Sequence, residues 1–364
     1  MRPPPEPAAG LDLVKASVRE QPAYSLKTHS ARRKLNQNES PYDVSPPLKR
    51  QIAERLAAVP WHRYPEFTPT QLLDQLAARY GWPAEGILVG NGSNELIQAS
   101  MAVTLESGDR VVAPAPTFSL YRLLAGVFGA RYVPVALGSD FGYRIESLIE
   151  VAVRERARVV VLNSPNNPTG SALPPDAVER VLAATDALVL CDEAYQDFGG
   201  PTAVGLLATS PRVVVLRTFS KAFGLAGLRL GLALAHPAVA REIAKAKLPY
   251  NVNSLSLTAV SLLLAHPETE SRVAEIVATR ERAAARLRAM PGLTVYPSAA
   301  NFILIRCLTV PARDVFRRLL EDYGILVRDV SAAPELAECL RISIGTPEDM
   351  DAVVDAMQAI LGSR

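Results

Sequence analysis

Seven short, continuously apolar runs, each closed by turn-forming residues, recur between residues 87 and 235: Ile87-Leu88-Val89, Val111-Val112-Ala113, Tyr132-Val133-Pro134-Val135, Val159-Val160-Val161-Leu162, Ala187-Leu188-Val189-Leu190, Val213-Val214-Val215-Leu216 and Leu228 to Ala235. A strand with one wet face alternates polar and apolar residues, so runs without alternation require strands covered on both faces. Between them lie helical patterns such as Leu96 to Leu105 and Pro175 to Ala184. Alternation of this kind specifies a largely parallel sheet with helices packed on it, an α/β architecture.

On either side of this region the pattern differs. Residues 1–46 carry Pro, Ser, Asn and Arg with little periodicity and read as an extended arm. From Pro47 a helical pattern begins (Ile52, Leu56, Ala57), and a second helix is expected with Thr68 as N-cap and Pro69 at its first position. A long charged helix covers Glu268 to Met290. Beyond it, strand candidates Phe302-Ile303-Leu304-Ile305, Ile325-Leu326-Val327 and Leu340 to Ile344 alternate with helices at Pro311 to Tyr323 and Pro347 to Leu361. A chain of 364 residues suits two domains. The expected division is an arm over 1–46, a large domain over 47–267 and a smaller α+β domain over 268–364.

Composition narrows the partners. Lys+Arg 39 against Asp+Glu 37 leaves a formal charge of +2, so no whole-molecule field favours nucleic acid or an anionic membrane. No apolar run approaches the roughly 18 residues of a membrane span, and Met1 to Pro7 has no hydrophobic leader segment. Cys191, Cys307 and Cys339 form no CxxC pair, which suits a reducing compartment and a cytoplasmic location. His29, His62, His236 and His266 are scattered without ligand spacing, and no metal is expected. Small molecules remain as the expected partners.

The most informative stretch is Arg217-Thr218-Phe219-Ser220-Lys221-Ala222-Phe223-Gly224-Leu225-Ala226-Gly227-Leu228-Arg229, directly after an apolar strand. In an α/β sheet that position is the crevice at the carboxyl ends of the strands. A lysine flanked by hydroxyls, with an arginine eight residues on, suits a phosphate beside an amine. Read alone, Lys221 and Arg229 are equally ordinary solvated charges. Upstream, Val189-Leu190-Cys191-Asp192-Glu193-Ala194-Tyr195 ends a strand in a carboxylate and a tyrosine. Against a pyridine, Asp192 would keep the ring nitrogen protonated and Tyr195 would donate to a phenolic oxygen; alone, Asp192 is equally a helix cap. Asn163-Ser164-Pro165-Asn166-Asn167-Pro168-Thr169-Gly170 is a rigid turn that aims an amide. Gly90-Asn91-Gly92-Ser93-Asn94-Glu95 is a glycine turn opening a helix, whose N-terminal amides make an anion site. Four strand ends converge on one ligand.

Together these motifs resemble the fold-type I pyridoxal-phosphate aminotransferases, and within them the histidinol-phosphate aminotransferases. The resemblance extends to Lys34 to Tyr42, His62 to Pro65, Pro249 to Asn253 and Leu340 to Thr346, nearly the whole chain. It implies a large domain with a mainly parallel seven-stranded sheet flanked by helices, a smaller C-terminal α+β domain, and a homodimer with shared sites. It implies that Lys221 forms the Schiff base with pyridoxal phosphate and moves the substrate proton. Asp192 would pair with the pyridinium, and Asn167 and Tyr195 would bind the phenolic oxygen. Phe118 would stack on the ring where many relatives carry tyrosine. Ser93, Asn94, Thr218, Ser220 and Arg229 would hold the phosphate, with Tyr64 donated by a second subunit. Asn94 stands where aspartate is common, and Ser40 where asparagine is expected.

For substrate choice the resemblance points to Arg328, Arg341 and Tyr24. An arginine fork accepts a phosphate or a carboxylate bidentately, so one site serves histidinol phosphate and then glutamate or 2-oxoglutarate. The expected activity is ping-pong interconversion of L-histidinol phosphate and 2-oxoglutarate with imidazole acetol phosphate and L-glutamate, a step of histidine biosynthesis. The alternatives are an aromatic or broad-range amino-acid aminotransferase, or an amino-acid-phosphate decarboxylase of the same fold. A cofactor-sensing regulator would require a DNA-binding module, for which the arm is too short and irregular.

Overall fold

The structure, a computed structural model, describes residues 8–22, 28–266 and 268–362. Strands are numbered along the chain as β1 (Arg33–Lys34), β2 (Ile87–Gly90), β3 (Arg110–Ala115), β4 (Arg131–Ala136), β5 (Val159–Asn163), β6 (Leu188–Asp192) and β7 (Val213–Thr218). They continue as β8 (Gly231–Ala235), β9 (Leu293–Val295), β10 (Phe302–Cys307), β11 (Ile325–Leu326), β12 (Arg328–Asp329) and β13 (Cys339–Ser343). The seven apolar runs form one sheet in the order β2-β8-β7-β6-β5-β3-β4, in which β8 alone runs against its neighbours. Every residue of β5, β7 and β8 is buried, as their apolar runs require, and the polar ends Asn163, Arg217 and Thr218 are buried with them. Strand β4 is an edge: burial alternates along its second half, and it tolerates Pro134.

The order of strands explains where a ligand can enter. From β3 the chain steps outward to β4, then returns to the other side of β3 as β5, a topological switch point. Pairing between β3 and β5 covers only Val111 with Val159 and Val112 with Val160. It stops short of Pro114. The two strands therefore part at their carboxyl ends, where the chain continues into Phe118 on one side and Asn167 on the other.

The C-terminal segment forms a second sheet, antiparallel, in the order β12-β13-β10-β9. Helices Glu268–Arg288, Ala312–Glu321 and Pro347–Gly362 accompany it. The expected single strand 325–327 divides instead into β11 and β12, which pair with different partners. Strand β11 takes β1 from the N-terminal segment in parallel, and Leu35 then bonds Leu326 O and Ser343 N. The arm is thus not merely extended: residues 33–35 are stitched to the C-terminal half, and short helical segments occur at Ala8–Leu11 and Ala16–Arg19. The second helix also differs from expectation. It spans Thr70–Tyr80 with Pro69 in the N-cap position, because the Thr68 carbonyl is taken by the Thr70 N–H. Among the described residues, no helix is long and apolar enough to cross a membrane.

One buried ion pair ties the central strand ends together. Arg217 in β7 donates to Glu193, just past β6, over 2.7 Å, and neither side chain is more than 7% exposed. Glu193 also accepts from Thr202 Oγ1 and the Ala203 N–H. Removing one partner strands a desolvated charge. Glu193→Ala is expected to lower unfolding free energy by about 3–5 kcal/mol in urea titration of the cofactor-free protein, the cost of breaking such a pair.

Candidate active site

At the parted ends of β3 and β5 opens a cavity of about 910 Å³. Its wall includes Ser93, Asn94, Phe118, Asn167, Asp192, Tyr195, Thr218, Ser220, Lys221, Arg229, Arg328 and Arg341. They come from several strand ends and turns, from the start of helix Ser93–Thr104, and from β12 and β13. Tyr64 does not line it; it lies on the surface, 79% exposed, stacked at 4.5 Å on Tyr250. Tyr24 lies outside the described residues.

Lys221 follows β7 in the turn before β8. Its amine donates to the backbone carbonyl of Gln37 at 2.9 Å and lies 5.7 Å from the centre of the Tyr195 ring. Burial, then the nearby positive charge of Arg341, lowers its pKa to about 7. Arg229 acts in the same direction and Glu39 opposes it. At neutral pH a large fraction of this amine is therefore unprotonated and nucleophilic.

Asp192, at the end of β6, is 3% exposed. Its Oδ2 accepts from the Tyr121 hydroxyl at 2.6 Å, and Oδ1 from the Ala194 N–H at 3.2 Å. Burial is the larger effect and leaves its pKa raised, and those two donors oppose it. Among the described residues no Lys, Arg or His lies within ion-pair distance of it. A buried carboxylate with a hydroxyl and an amide, but no cation, is a receptor for a positive charge.

The turn after β5 divides its two asparagines by task. Asn166, fully buried, knits the turn together through Thr117 Oγ1, Pro116 O and Thr169 Oγ1. Asn167 faces the cavity, its N–H held by Asn163 Oδ1 at 3.0 Å and its Oδ1 by Arg341 at 2.5 Å. Arg341 comes from the middle of β13 and donates also to Asn36 O at 2.8 Å. Arg328 stands beside it, as its register partner in β12.

On the other side of Lys221, helix Ser93–Thr104 begins at the cavity after Gly92, which has φ +79°. A side chain at Gly92 would put its Cβ 2.5 Å from Arg229 Nη2. Arg229 itself adopts φ +55°, so the expected strand begins at residue 231 instead of 228, and its guanidinium reaches Ser220 Oγ at 3.1 Å. The Ser220 N–H is held by Thr218 Oγ1 at 3.1 Å. Free amides at a helix start, two hydroxyls and an arginine without a carboxylate partner among the described residues make a phosphate cradle.

Sequence reasoning overlooked Tyr121, Asn36 and Asn38. Tyr121 follows Phe118 by three positions at a helix start, meets it edge-on at 5.7 Å, and that spacing was its available signal. Asn36 and Asn38 sit in a polar stretch with no periodicity, and their roles arise from long-range pairing.

The profile of the aminotransferase class I and II family matches residues 33–357. The chain belongs to this family. A histidinol-phosphate aminotransferase of Roseiflexus castenholzii is 42% identical over 333 residues, 90% of this chain and 89% of its own. Another, of Ruminiclostridium cellulolyticum, is 36% identical over 354 residues, 96% of this chain and 98% of its own. Among solved structures, histidinol-phosphate aminotransferase from Sinorhizobium meliloti in complex with pyridoxal-5'-phosphate aligns with a TM-score of 0.86 at 26% identity, covering 96% of this chain and 98% of that one. The aminotransferase site fits pyridoxal phosphate on its own geometry: a cation-seeking carboxylate at Asp192, a desolvated amine at Lys221 and the phosphate cradle surround one cavity.

The lowered pKa carries a pH dependence with a definite sign. In the cofactor-free aminotransferase, labelling of Lys221 by an amine-specific reagent is expected to rise with pH through a midpoint near 7, followed by peptide mass spectrometry. A midpoint in the ordinary lysine range would contradict the burial argument.

Proposed function

We propose that this aminotransferase, with pyridoxal phosphate, interconverts L-histidinol phosphate and 2-oxoglutarate with imidazole acetol phosphate and L-glutamate. The observation that carries the reading is the Lys221 amine, its pKa lowered to about 7, in one cavity with the buried carboxylate of Asp192 and the Arg328–Arg341 pair. The full-length similarity to histidinol-phosphate aminotransferases supports the substrate assignment.

When bound, pyridoxal phosphate supplies a carbonyl for the amino group and a protonated ring that accepts the electron pair released at the substrate α-carbon. The protein's residues do the rest. Ser93, Asn94, Thr218, Ser220 and Arg229 would hold the phosphate, and Phe118 would pack against the ring. Asp192 holds the ring nitrogen's proton, a role its burial strengthens because water cannot compete for the charge. Tyr195 and Asn167 hold the phenolic oxygen. Lys221 would provide the amine that holds the carbonyl, and the same amine would take and return the proton at the substrate α-carbon. Arg341 and Arg328 grip the phosphate ester of one substrate and a carboxylate of the other.

In this reading residues 47–267 form the cofactor domain, 268–364 the smaller domain and 1–46 the arm. The enzyme works as a homodimer in the cytoplasm. An exposed aromatic patch of Trp61, Tyr64 and Phe67 supports the dimer, since exposed apolar surface of this kind marks an interface. Tyr64 would reach the partner's cavity.

The test mixes purified holoenzyme separately with histidinol phosphate, phenylalanine and aspartate, and follows conversion of the bound cofactor to its amine form by absorbance. Histidinol phosphate is expected to react fastest. Preference for phenylalanine would instead indicate an aromatic aminotransferase, and release of carbon dioxide a decarboxylase. Lys221→Ala is expected to lose the imine absorbance together with turnover, by roughly 10²–10⁴-fold or more. Arg341→Ala is expected to impair both half-reactions. Arg328→Ala should weaken histidinol phosphate about 10–100-fold in kcat/KM, the worth of a charge-assisted bond, and glutamate less; equal losses would refute that division of labour.

A further inference from the structure

The two sides of the phosphate cradle come from distant parts of the chain, the start of helix Ser93–Thr104 and the turn from Thr218 to Arg229. Both are tied to a third segment that lines no part of the cavity. Residues 247–253 link helices Pro237–Ala246 and Ser254–Leu263, and their bonds fall at three points around the cradle. The Lys247 amine donates to the Val89 carbonyl in β2, just before the glycine turn. Asn251 Nδ2 donates to both carboxylate oxygens of Glu95, at 2.8 and 2.9 Å. In the first turn of the second helix, capped by Asn253, the Ser256 hydroxyl donates to the carbonyl of Leu228, the residue before Arg229.

Glu95 is the member of this arrangement that bears on the phosphate. It is the third residue of its helix, and its Oε2 reaches back to accept the Asn91 N–H at 2.5 Å, closing the glycine turn much as the glutamate of a capping box does. With the carboxylate occupied there, the N–H groups of Ser93 and Asn94 stay open to a ligand. An acidic side chain in a first turn is itself drawn to those N–H groups by the positive end of the helix. The turn also rests directly on the strand that follows Arg229: a Cβ at Gly231 would stand 2.2 Å from the Ser93 nitrogen.

We propose that Asn251 is a positioning residue for the cofactor's phosphate: it holds the Glu95 carboxylate on the Asn91 N–H and so keeps it off the Ser93 and Asn94 N–H groups that the phosphate takes. The inference rests on the placement of pyridoxal phosphate given above. Neither Asn251 nor Glu95 lines the cavity, so the effect passes through the shape and charge of the cradle. Released from Asn251, the carboxylate competes for the helix start and brings a negative charge beside the phosphate. Both consequences weaken the grip on the phosphate and leave the amine of Lys221 as it was.

The experiment titrates the cofactor-free protein with two ligands, pyridoxal phosphate and pyridoxal, which carries the same ring and aldehyde without the phosphate. Dissociation constants are read from the visible absorbance. Asn251→Ala is expected to weaken pyridoxal phosphate about 10-fold, the worth of a charge-assisted hydrogen bond, and to change pyridoxal by less than about twofold. Asn251→Asp sets a like charge against Glu95 and weakens pyridoxal phosphate further. Adding Glu95→Gln to Asn251→Asp rebuilds the pair with donor and acceptor exchanged and the net charge restored. The double variant is expected to return to within about threefold of the wild-type affinity, a coupling that separate structural damage would not show.

Equal weakening of both ligands by Asn251→Ala marks a general structural role and overturns the proposal, as does a double variant no better than Asn251→Asp. Wild-type protein that binds pyridoxal as tightly as pyridoxal phosphate has no working cradle, and the functional reading beneath the proposal then fails. A wild-type preference for pyridoxal phosphate that survives undiminished in Asn251→Ala rejects Asn251 alone.

Discussion

A lysine in water holds its proton at neutral pH and is a poor nucleophile; every arrangement in this protein that bears on chemistry serves to change that for one residue. The pKa of Lys221 is lowered to about 7 because the residue is surrounded by protein and because the positive charges of Arg341 and Arg229 act on it. Desolvation is the larger cause. Neither cause exists locally: the burial needs the arm at Gln37 and the ring of Tyr195, and the two arginines come from β13 and from the turn before β8. The sheet provides the fixed platform and the chain's two ends close it.

The same low-dielectric setting cuts both ways at Asp192. Burial raises its pKa, and two donors, the Tyr121 hydroxyl and the Ala194 amide, oppose that rise. Glu193 next to it is treated differently, being neutralised by Arg217. Adjacent carboxylates on one strand end thus have opposite purposes. One is paired internally and holds β6 to β7; the other is left without a cation and faces the cavity.

Much of this was legible in the sequence, for definite reasons. Strands buried on both faces leave runs such as Val213 to Leu216, and turn chemistry is written locally in Gly92 and in Asn163 to Gly170, so the sheet and the loops at its carboxyl edge could be read directly. Cofactor-facing residues fall on those loops and came with them. What local pattern cannot encode is pairing across the chain. The split of 325–329 into β11 and β12, the parallel pairing of β1, and the fixing of Asn38 by Ser343 all depend on partners far away in sequence. Arg229 illustrates a third case: an apolar run from Leu228 onward suggested strand, but the positive φ that turns its side chain into the site has no local signature.

The link between Asn38 and Ser343 spans 305 positions, and that between Arg341 and the Asn36 carbonyl spans as many. During synthesis, the large sheet can assemble while the final strand is still inside the ribosome, but the pocket cannot. Its closing contacts have among the longest loops in the molecule, so they belong to the last events of folding. A chain without residues 339–343 lacks the Arg341 bond to the Asn36 carbonyl and the Ser343 bonds to Asn38, and so lacks the ties that hold residues 36–38 against the C-terminal sheet beside Lys221.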